Sequence, residues 1–167
     1  MLTGYHKSAL GTFTRLVVFS AIILSCTTGC NKPKTTELYH KFQDKSWARF
    51  NILSFEIPVK NVDKPYNVYL FATFTPAFAY EKLEFNMVMN TPAGEERINQ
   101  YAMDVKSKSG KFSGECKGDS CRQILLLKRE LNLSKPGILK IELENLTPRL
   151  TTEGISGVGI RMVQSGK

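Results

Sequence analysis

Alternation of apolar and polar side chains with a period of two residues constrains the fold of this chain more than any other feature. The segment ILKIELEN is the clearest example, because Leu139, Ile141 and Leu143 would face one side of a strand while charged residues separate them. Similar alternation recurs in four further stretches, at residues 53–57, 66–74, 83–89 and 158–162. Turn-forming residues separate the stretches, as in TPAG at 91–94. The pattern predicts an all-β fold, a single antiparallel β-sandwich of the jelly-roll or immunoglobulin-like kind over residues 47–165.

Two further segments complete the predicted set of strands. ERINQYAMD at 96–104 is expected to pair with the strand before the TPAG turn. CRQILLLKRELNL at 121–133 fits helical spacing as well as strand spacing. The turn signal SKPG follows it directly, so we expect this segment to be a strand.

Residues 1–25 have the organisation of a bacterial lipoprotein signal peptide. Their only charged side chains, Lys7 and Arg15, are basic and precede the apolar run LVVFSAIIL at 16–24. A helix that crosses a membrane needs about 20 residues, so this run is too short to span one. A basic segment followed by a short apolar run is typical of a secretory signal. We therefore expect residues 1–25 to be removed from the mature protein; a buried core helix is the alternative.

The motif ILSC places Cys26 directly after the apolar run, as in the lipobox of bacterial lipoproteins. We predict that Cys26 becomes the N-terminal residue and carries two or three acyl chains, palmitate among them, which hold a protein firmly to a bilayer. Cys30, in TTGC, is the alternative, although polar residues separate it from the apolar run. The polar stretch that follows indicates a lipidated tether over residues 26–46.

Cys116 and Cys121 enclose KGDS, whose Gly and Asp favour a turn that would bring the two sulfurs together. In an exported chain the oxidising environment allows a disulfide between them. Free thiols are the second interpretation. A zinc site would need further Cys or His ligands, and a thioredoxin-like redox pair would be separated by two residues. We predict no metal and no cofactor.

A catalytic site is difficult to assemble from these residues, and we expect no enzyme. The only histidine after the leader is His40, in the expected tether, which excludes a Ser-His or Cys-His pair in the predicted domain. Four carboxylates could in principle form a glycosidase-like pair, and they are Glu84, Asp104, Glu142 and Glu144. The last two alternate with apolar positions, which favours the outer face of a strand.

The chain has a net charge of +8, but its basic residues are scattered rather than gathered into a stripe with aromatic partners. Nucleic acid is therefore not an expected partner. Trp47, the only tryptophan, is interpreted as a plug at the end of the core. The alternative is an anchored glycan-binding module in which aromatic side chains stack on sugars, namely Trp47, Tyr66, Tyr69 and Tyr80.

The C-terminal GISGVGIRM resembles the signature of the gliding motility lipoprotein GldH family of the Bacteroidota, a pattern of the form GI-x-x-VG-[apolar]-R. The matching positions are Gly154, Ile155, Val158, Gly159, Ile160 and Arg161. Weaker correspondences run in the same order, at Trp47, 65–71, 109–114 and 135–137. Two parts of the family pattern are absent here: a Q-x-M-R stretch after the penultimate strand, where ENLTPRL stands, and an arginine near ATFTPAFAY.

The resemblance implies an anchored, non-catalytic accessory or scaffold component of gliding motility, a process coupled to the type 9 secretion machinery. It implies no catalytic residues. The expected partners are the lipid bilayer, through the N-terminal acyl chains, and envelope proteins of the gliding or secretion machinery. The expected location is the outer membrane, by default its periplasmic face.

Overall fold

The computed structural model describes residues 34–165, and every regular element within that part of the chain is a β-strand. The strands in chain order are β1 Thr35–Lys41, β2 Ser46–Ala48, β3 Leu53–Val59, β4 Tyr66–Phe74, β5 Lys82–Asn90, β6 Glu96–Asp104, β7 Glu115–Lys117, β8 Ser120–Leu131, β9 Gly137–Asn145, β10 Thr151–Glu153 and β11 Ile155–Gln164. Between residues 34 and 165 no helix is long and apolar enough to cross a membrane.

Two antiparallel sheets form the sandwich. The five-stranded sheet has the order β1-β11-β4-β8-β7, and the four-stranded sheet has the order β3-β9-β5-β6. Strands β10 and β2 pair separately as a two-stranded sheet. The predicted all-β sandwich is therefore confirmed.

The period-two alternation places one face of each strand in a single apolar core. In β9, the side chains of Leu139, Ile141 and Leu143 have no exposed surface, while the residues between them are half-buried. Strands β3 and β5 follow the same rule, whereas in β11 Gly157 and Gly159 are buried as well as the core-facing residues. Because successive side chains of a strand point to opposite faces, this alternation alone decides which residues enter the core.

The ambiguous segment at 121–133 forms most of β8, as predicted, and the structure explains the ambiguity. The register between β4 and β8 shifts twice, between Tyr66 and Val68 and between Val68 and Tyr69. A β-bulge of this kind adds a residue to one strand and interrupts the alternation. The run Leu125–Leu127 therefore reads as continuously apolar although it belongs to a strand.

The expected tether over 26–46 is wrong from residue 35 onward. Strand β1 pairs with β11 over its whole length, from Thr35 opposite Val163 to Lys41 opposite Gly157. Within β1 only Leu38 packs against the core. An edge strand is held by pairing with its neighbour and can have few apolar residues, which is why this segment looked like a polar tether in the sequence. The sandwich therefore begins near residue 35, and His40 lies in a strand. Residues 26–33 of the expected tether lie outside the described residues.

Candidate functional site

The residues of the C-terminal signature divide between the core and the outer face of the five-stranded sheet. The apolar members have no exposed side-chain surface and belong to the core: Ile155, Val158 and Ile160. Gly159 and Arg161 lie on the opposite face of β11, since they alternate with the residues that face the core. The signature thus combines packing residues with two residues that help to form an outer surface.

Gly154, the first residue of the signature, lies in the tight turn between β10 and β11. Its φ angle is +82°, a backbone conformation that glycine adopts without strain. A Cβ atom at this position would stand 2.0 Å from the backbone nitrogen of Phe78. The N–H groups of Gly154 and Ile155 both donate to the carbonyl of Lys45, at 2.8 and 3.0 Å. Only glycine fits this turn.

Two aromatic rings cover Gly157 and Gly159 on the outer face of the sheet. Tyr39 of β1 and Phe71 of β4 both lie opposite Gly159, and their rings stack at 5.7 Å with an interplanar angle of 10°. A Cβ at residue 159 would be 2.3 Å from Cζ of Phe71, and one at residue 157 would be 2.2 Å from the hydroxyl of Tyr39. The glycines therefore leave the space in which the rings lie flat against the sheet.

Charged side chains complete this surface. Glu37 accepts hydrogen bonds from Arg122 at 2.9 Å and from Arg161 at 2.7 Å. The guanidinium carbons of the two arginines lie 3.9 and 5.8 Å from the centre of the Phe71 ring, within the range of cation–π contacts. Phe71 is only 2% exposed although it points away from the core. We call Glu37, Tyr39, Phe71, Arg122 and Arg161 the aromatic–arginine cluster.

The electrostatics of the cluster favour the ionised form of Glu37. Partial burial by itself raises the pKa of this carboxyl, but hydrogen bonds and charge from Arg122 and Arg161 outweigh burial, so the pKa lies below its ordinary value. With two guanidinium groups and one carboxylate, the cluster is positively charged at neutral pH. Cations over an aromatic ring suit ionic and stacking contacts with another molecule.

The structure shows where the other candidate residues lie. Glu84, Asp104, Glu142 and Glu144 all lie on the outer face of the four-stranded sheet, which is where the alternation placed the last two. Within residues 34–165 no three His, Cys, Asp or Glu side chains are grouped closely enough to hold a metal ion. Cys26 and Cys30 lie outside the described residues, and their lipidation stays a prediction.

Cys116 and Cys121 lie directly opposite each other in the hairpin formed by β7 and β8. Their Cα atoms are 4.0 Å apart, and the sulfurs are bonded at 2.00 Å. Gly118, with φ +59°, provides the left-handed residue that the turn between them needs. Cys121 is buried and Cys116 is exposed. Because β7 is the outermost strand of the five-stranded sheet, the bridge ties that strand to β8.

Trp47 is fully buried at one end of the core. Its Nε1 donates to the carbonyl of Asn51 at 2.8 Å, and its ring stacks on Phe42 at 5.9 Å. Tyr66 is also buried, with its hydroxyl bonded to the carbonyl of Asn61 at 2.5 Å. Trp47 and Tyr66 are therefore not available for stacking on a sugar, which removes two of the four aromatics that the glycan-binding alternative requires.

Asn145, at the end of β9, holds Trp47 in place and was not singled out from the sequence. Its side chain is fully buried, and its Nδ2 donates to the carbonyl of Trp47 at 3.0 Å and to Oγ1 of Thr152 at 2.9 Å. Its Oδ1 accepts from the backbone N–H and the hydroxyl of Thr147, at 3.0 and 2.8 Å. A buried amide with all its groups bonded in this way fixes the β10–β2 pair against the core. The polar segment ENLT at 144–147, which stands where the family pattern is absent, was the sequence feature that could have pointed to this buried network.

The comparisons with known proteins agree with the signature. The family model described as GldH lipoprotein matches residues 34–162. No curated protein matches the chain. The chain belongs to the GldH lipoprotein family.

Several solved structures have a distant likeness to the chain. Dimeric latent PorU from Porphyromonas gingivalis is 9% identical with a TM-score of 0.39, over 84% of this chain and 14% of that chain. For the VP2 subviral particle of infectious bursal disease virus the identity is 9% and the TM-score 0.38, over 80% and 33%. For the tobacco streak virus coat protein the values are 12% and 0.31, over 85% and 90%. The chain thus spans a small part of the first two, and these likenesses carry no conclusion about function.

Proposed function

On the premise of this membership, we propose that the protein is a non-catalytic lipoprotein anchored in the outer membrane. It serves there as an accessory or scaffold component of gliding motility associated with the type 9 secretion machinery. The observation that carries the proposal is the family match, which spans residues 34–162 and so includes nearly all of the sandwich.

Anchoring gives the proposed role a physical basis. Acyl chains on Cys26 would restrict the sandwich to a membrane surface and raise its effective concentration toward membrane-bound partners. Only eight residues separate Cys26 from the start of β1 at Thr35, so the sandwich would lie within about 30 Å of the lipid, even with that segment fully extended.

A scaffold role, rather than catalysis, is supported by the chemistry of the described residues. His40 is the only histidine in the range 34–165, and its ring packs edge-on against Phe42 at 4.9 Å. The surface built around the C-terminal signature offers arginines and aromatic rings, which recognise partners by charge and stacking.

The anchoring is tested by replacing each cysteine of the N-terminal region. Cys26→Ser should release the protein from envelope membranes, whereas Cys30→Ser should leave it membrane-bound with an acylated N-terminus. Membrane fractionation and intact-mass measurement of the N-terminal peptide distinguish the two. Acylation at Cys30 would show that Cys30, and not Cys26, carries the acyl chains. An unmodified chain that begins at Met1 would refute the proposal that the protein is a lipoprotein.

The role in motility is tested in a deletion strain. Loss of surface spreading and of type 9 secretion, restored by the wild-type gene and not by Cys26→Ser, would support the proposal. Purification of the tagged lipoprotein from envelope membranes after crosslinking should recover gliding or secretion components. Normal spreading and secretion in the deletion strain, with no such component recovered, would refute it.

A further inference from the structure

The outer face of the four-stranded sheet carries exposed apolar side chains at positions where alternation calls for polar ones. Ile98 on β6 is 65% exposed and lies opposite Val88 on β5. Ile52, just before β3, is 57% exposed. With Asn86, Glu142 and Glu144, these three apolar side chains line a groove of about 150 Å³. That volume is roughly ten times what one water molecule requires. We call this set of six residues the acidic–apolar groove.

Both carboxylates of the groove lie on β9, beside the apolar side chains of β5 and β6. Glu142 lies opposite Val88, and Glu144 lies opposite Asn86, whose Nδ2 donates to it at 3.0 Å. Lys140 forms an ion pair with Glu142 at 2.9 Å, so part of the negative charge is already balanced. Both glutamates keep exposed surface beside the apolar floor.

The whole outer face is acidic, in contrast to the rest of this basic chain. Strand register places six carboxylates and two lysines on it: Glu56, Glu84, Glu96, Asp104, Glu142, Glu144, Lys82 and Lys140. The chain as a whole has a net charge of +8. A face of reversed sign within a basic protein repels anionic surfaces and attracts cationic ones.

Charge complementarity selects among the occupants of this groove. An anionic lipid surface has the wrong sign for it. A second copy of the chain in a two-fold symmetric contact would place the same acidic face against itself, which like charges oppose. A polypeptide with basic side chains next to an apolar one can contact the glutamates and the apolar side chains together.

We propose that the acidic–apolar groove binds a basic segment of a partner protein, with an apolar side chain over Ile98, Val88 and Ile52 and Lys or Arg side chains against Glu142 and Glu144. The segment is recognised by apolar and charged contacts that lie side by side, both of which are common in protein interfaces. The groove thus supplies a docking surface for the scaffold role proposed above, on which this inference rests.

A binding assay with designed peptides tests the proposal. The purified lipoprotein, in nanodiscs of neutral phosphatidylcholine, is titrated with three fluorescent 12-residue peptides that contain Lys and Leu, Lys and Ser, or Glu and Leu. The Lys/Leu peptide should bind most tightly, and its affinity should fall as salt is raised, since rim charges are screened. Equal binding of all three peptides would overturn the proposal.

Variants assign the binding to the groove. Ile98→Ser should weaken the Lys/Leu peptide about tenfold through lost apolar burial. Glu142→Gln with Glu144→Gln should weaken it about fivefold, the size of an exposed ion pair. The matched controls lie elsewhere: Ile124→Ser on the five-stranded sheet, and Glu115→Gln with Glu153→Gln for the same change in charge. Equal losses in the groove and control variants would place the binding elsewhere and refute the assignment.

Two further measurements decide between occupants. Binding to anionic vesicles that Ile98→Ser abolishes would make the occupant a membrane, and self-association that the same change abolishes would make it a second copy. Either result overturns the proposed partner. The peptide assay needs neither gliding nor secretion, so failure of this inference and failure of the motility role can be told apart.

Discussion

The ring of Phe71 lies directly over Gly159, so close that a Cβ at residue 159 would be 2.3 Å from Cζ of the ring. This contact joins the C-terminal signature to the outer surface of the sheet. It lets an aromatic ring that points away from the core become almost completely buried, beneath two arginines and beside Tyr39. A glycine in a strand often marks such a close approach.

Gly159→Ala should destabilise the protein by about 1–3 kcal/mol, the cost of forcing extra volume into a packed site. The added methyl would meet both the Phe71 ring and the carbonyl oxygen of Leu38, at 2.5 Å. Urea unfolding followed by the fluorescence of Trp47, the only tryptophan, measures the change. Adding Phe71→Leu should recover part of the lost stability, because the clash with the ring is removed. The recovery should be incomplete, because the clash with the Leu38 carbonyl remains. An unchanged midpoint in the single variant would contradict the contact.

Asn145→Ala should lower the free energy of unfolding by about 3 kcal/mol, because several buried groups lose their partners at once. Those groups include the carbonyl of Trp47, the hydroxyl of Thr152 and the N–H of Thr147. The same fluorescence experiment measures the loss, and Asn99→Ala at an exposed position of β6 is the control. Similar unfolding midpoints for the two variants would show that the buried network contributes little.

The ion pairs of Glu37 should make a small, pH-dependent contribution to stability. Since the pKa of folded Glu37 is lowered, its contribution is present above the unfolded pKa and is lost as pH falls through the folded pKa. The wild type should therefore exceed Glu37→Gln in unfolding free energy at pH 7, by less than about 1 kcal/mol for so exposed a group. The difference should shrink toward pH 3. In a protein that also carries Arg122→Met and Arg161→Met, the difference in unfolding free energy between the proteins with and without Glu37→Gln should be smaller at every pH. A difference that does not change with pH would contradict the role of the arginines.

Replacing Cys116 and Cys121 together by Ser should lower the free energy of unfolding by at most about 2 kcal/mol, because the closed loop is short. The paired residues of the β7–β8 hairpin already restrict this loop, which reduces the effect further. A reducing agent should destabilise the wild type and leave the double variant unchanged. Complete alkylation of both thiols in unreduced protein would show that the bridge is absent in solution.

The strands could be predicted where alternation is uninterrupted, as in β9, because burial of one face is written into the order of residues along the strand. Strand β1 was missed for a physical reason. It lies at the edge of its sheet and places only Leu38 against the core, so pairing with β11, and not its own apolar content, makes it a strand. The bulge opposite Val68 and Tyr69 similarly hides the strand character of β8.

The members of the aromatic–arginine cluster were only partly visible. Arg161 belongs to the signature, but Glu37 fell in the expected tether, and nothing near Glu37 in the sequence indicates its partners. Its hydrogen bonds reach Arg122 and Arg161, which are 85 and 124 residues away along the chain. Asn145 was hidden likewise, since its role depends on Trp47 arriving from 98 residues earlier.

The sequence by itself determined the all-β class, the identity of most core residues and the family, because these follow from local alternation and from a short contiguous motif. Only the tertiary structure decided which residues meet on the two outer faces. Strand pairing brings distant segments into register. The register of the five-stranded sheet stacks Tyr39 and Phe71 over Gly159, and that of the four-stranded sheet sets Ile98 and Val88 beside Glu142. Such contacts depend on the order of strands in a sheet, which no local pattern encodes.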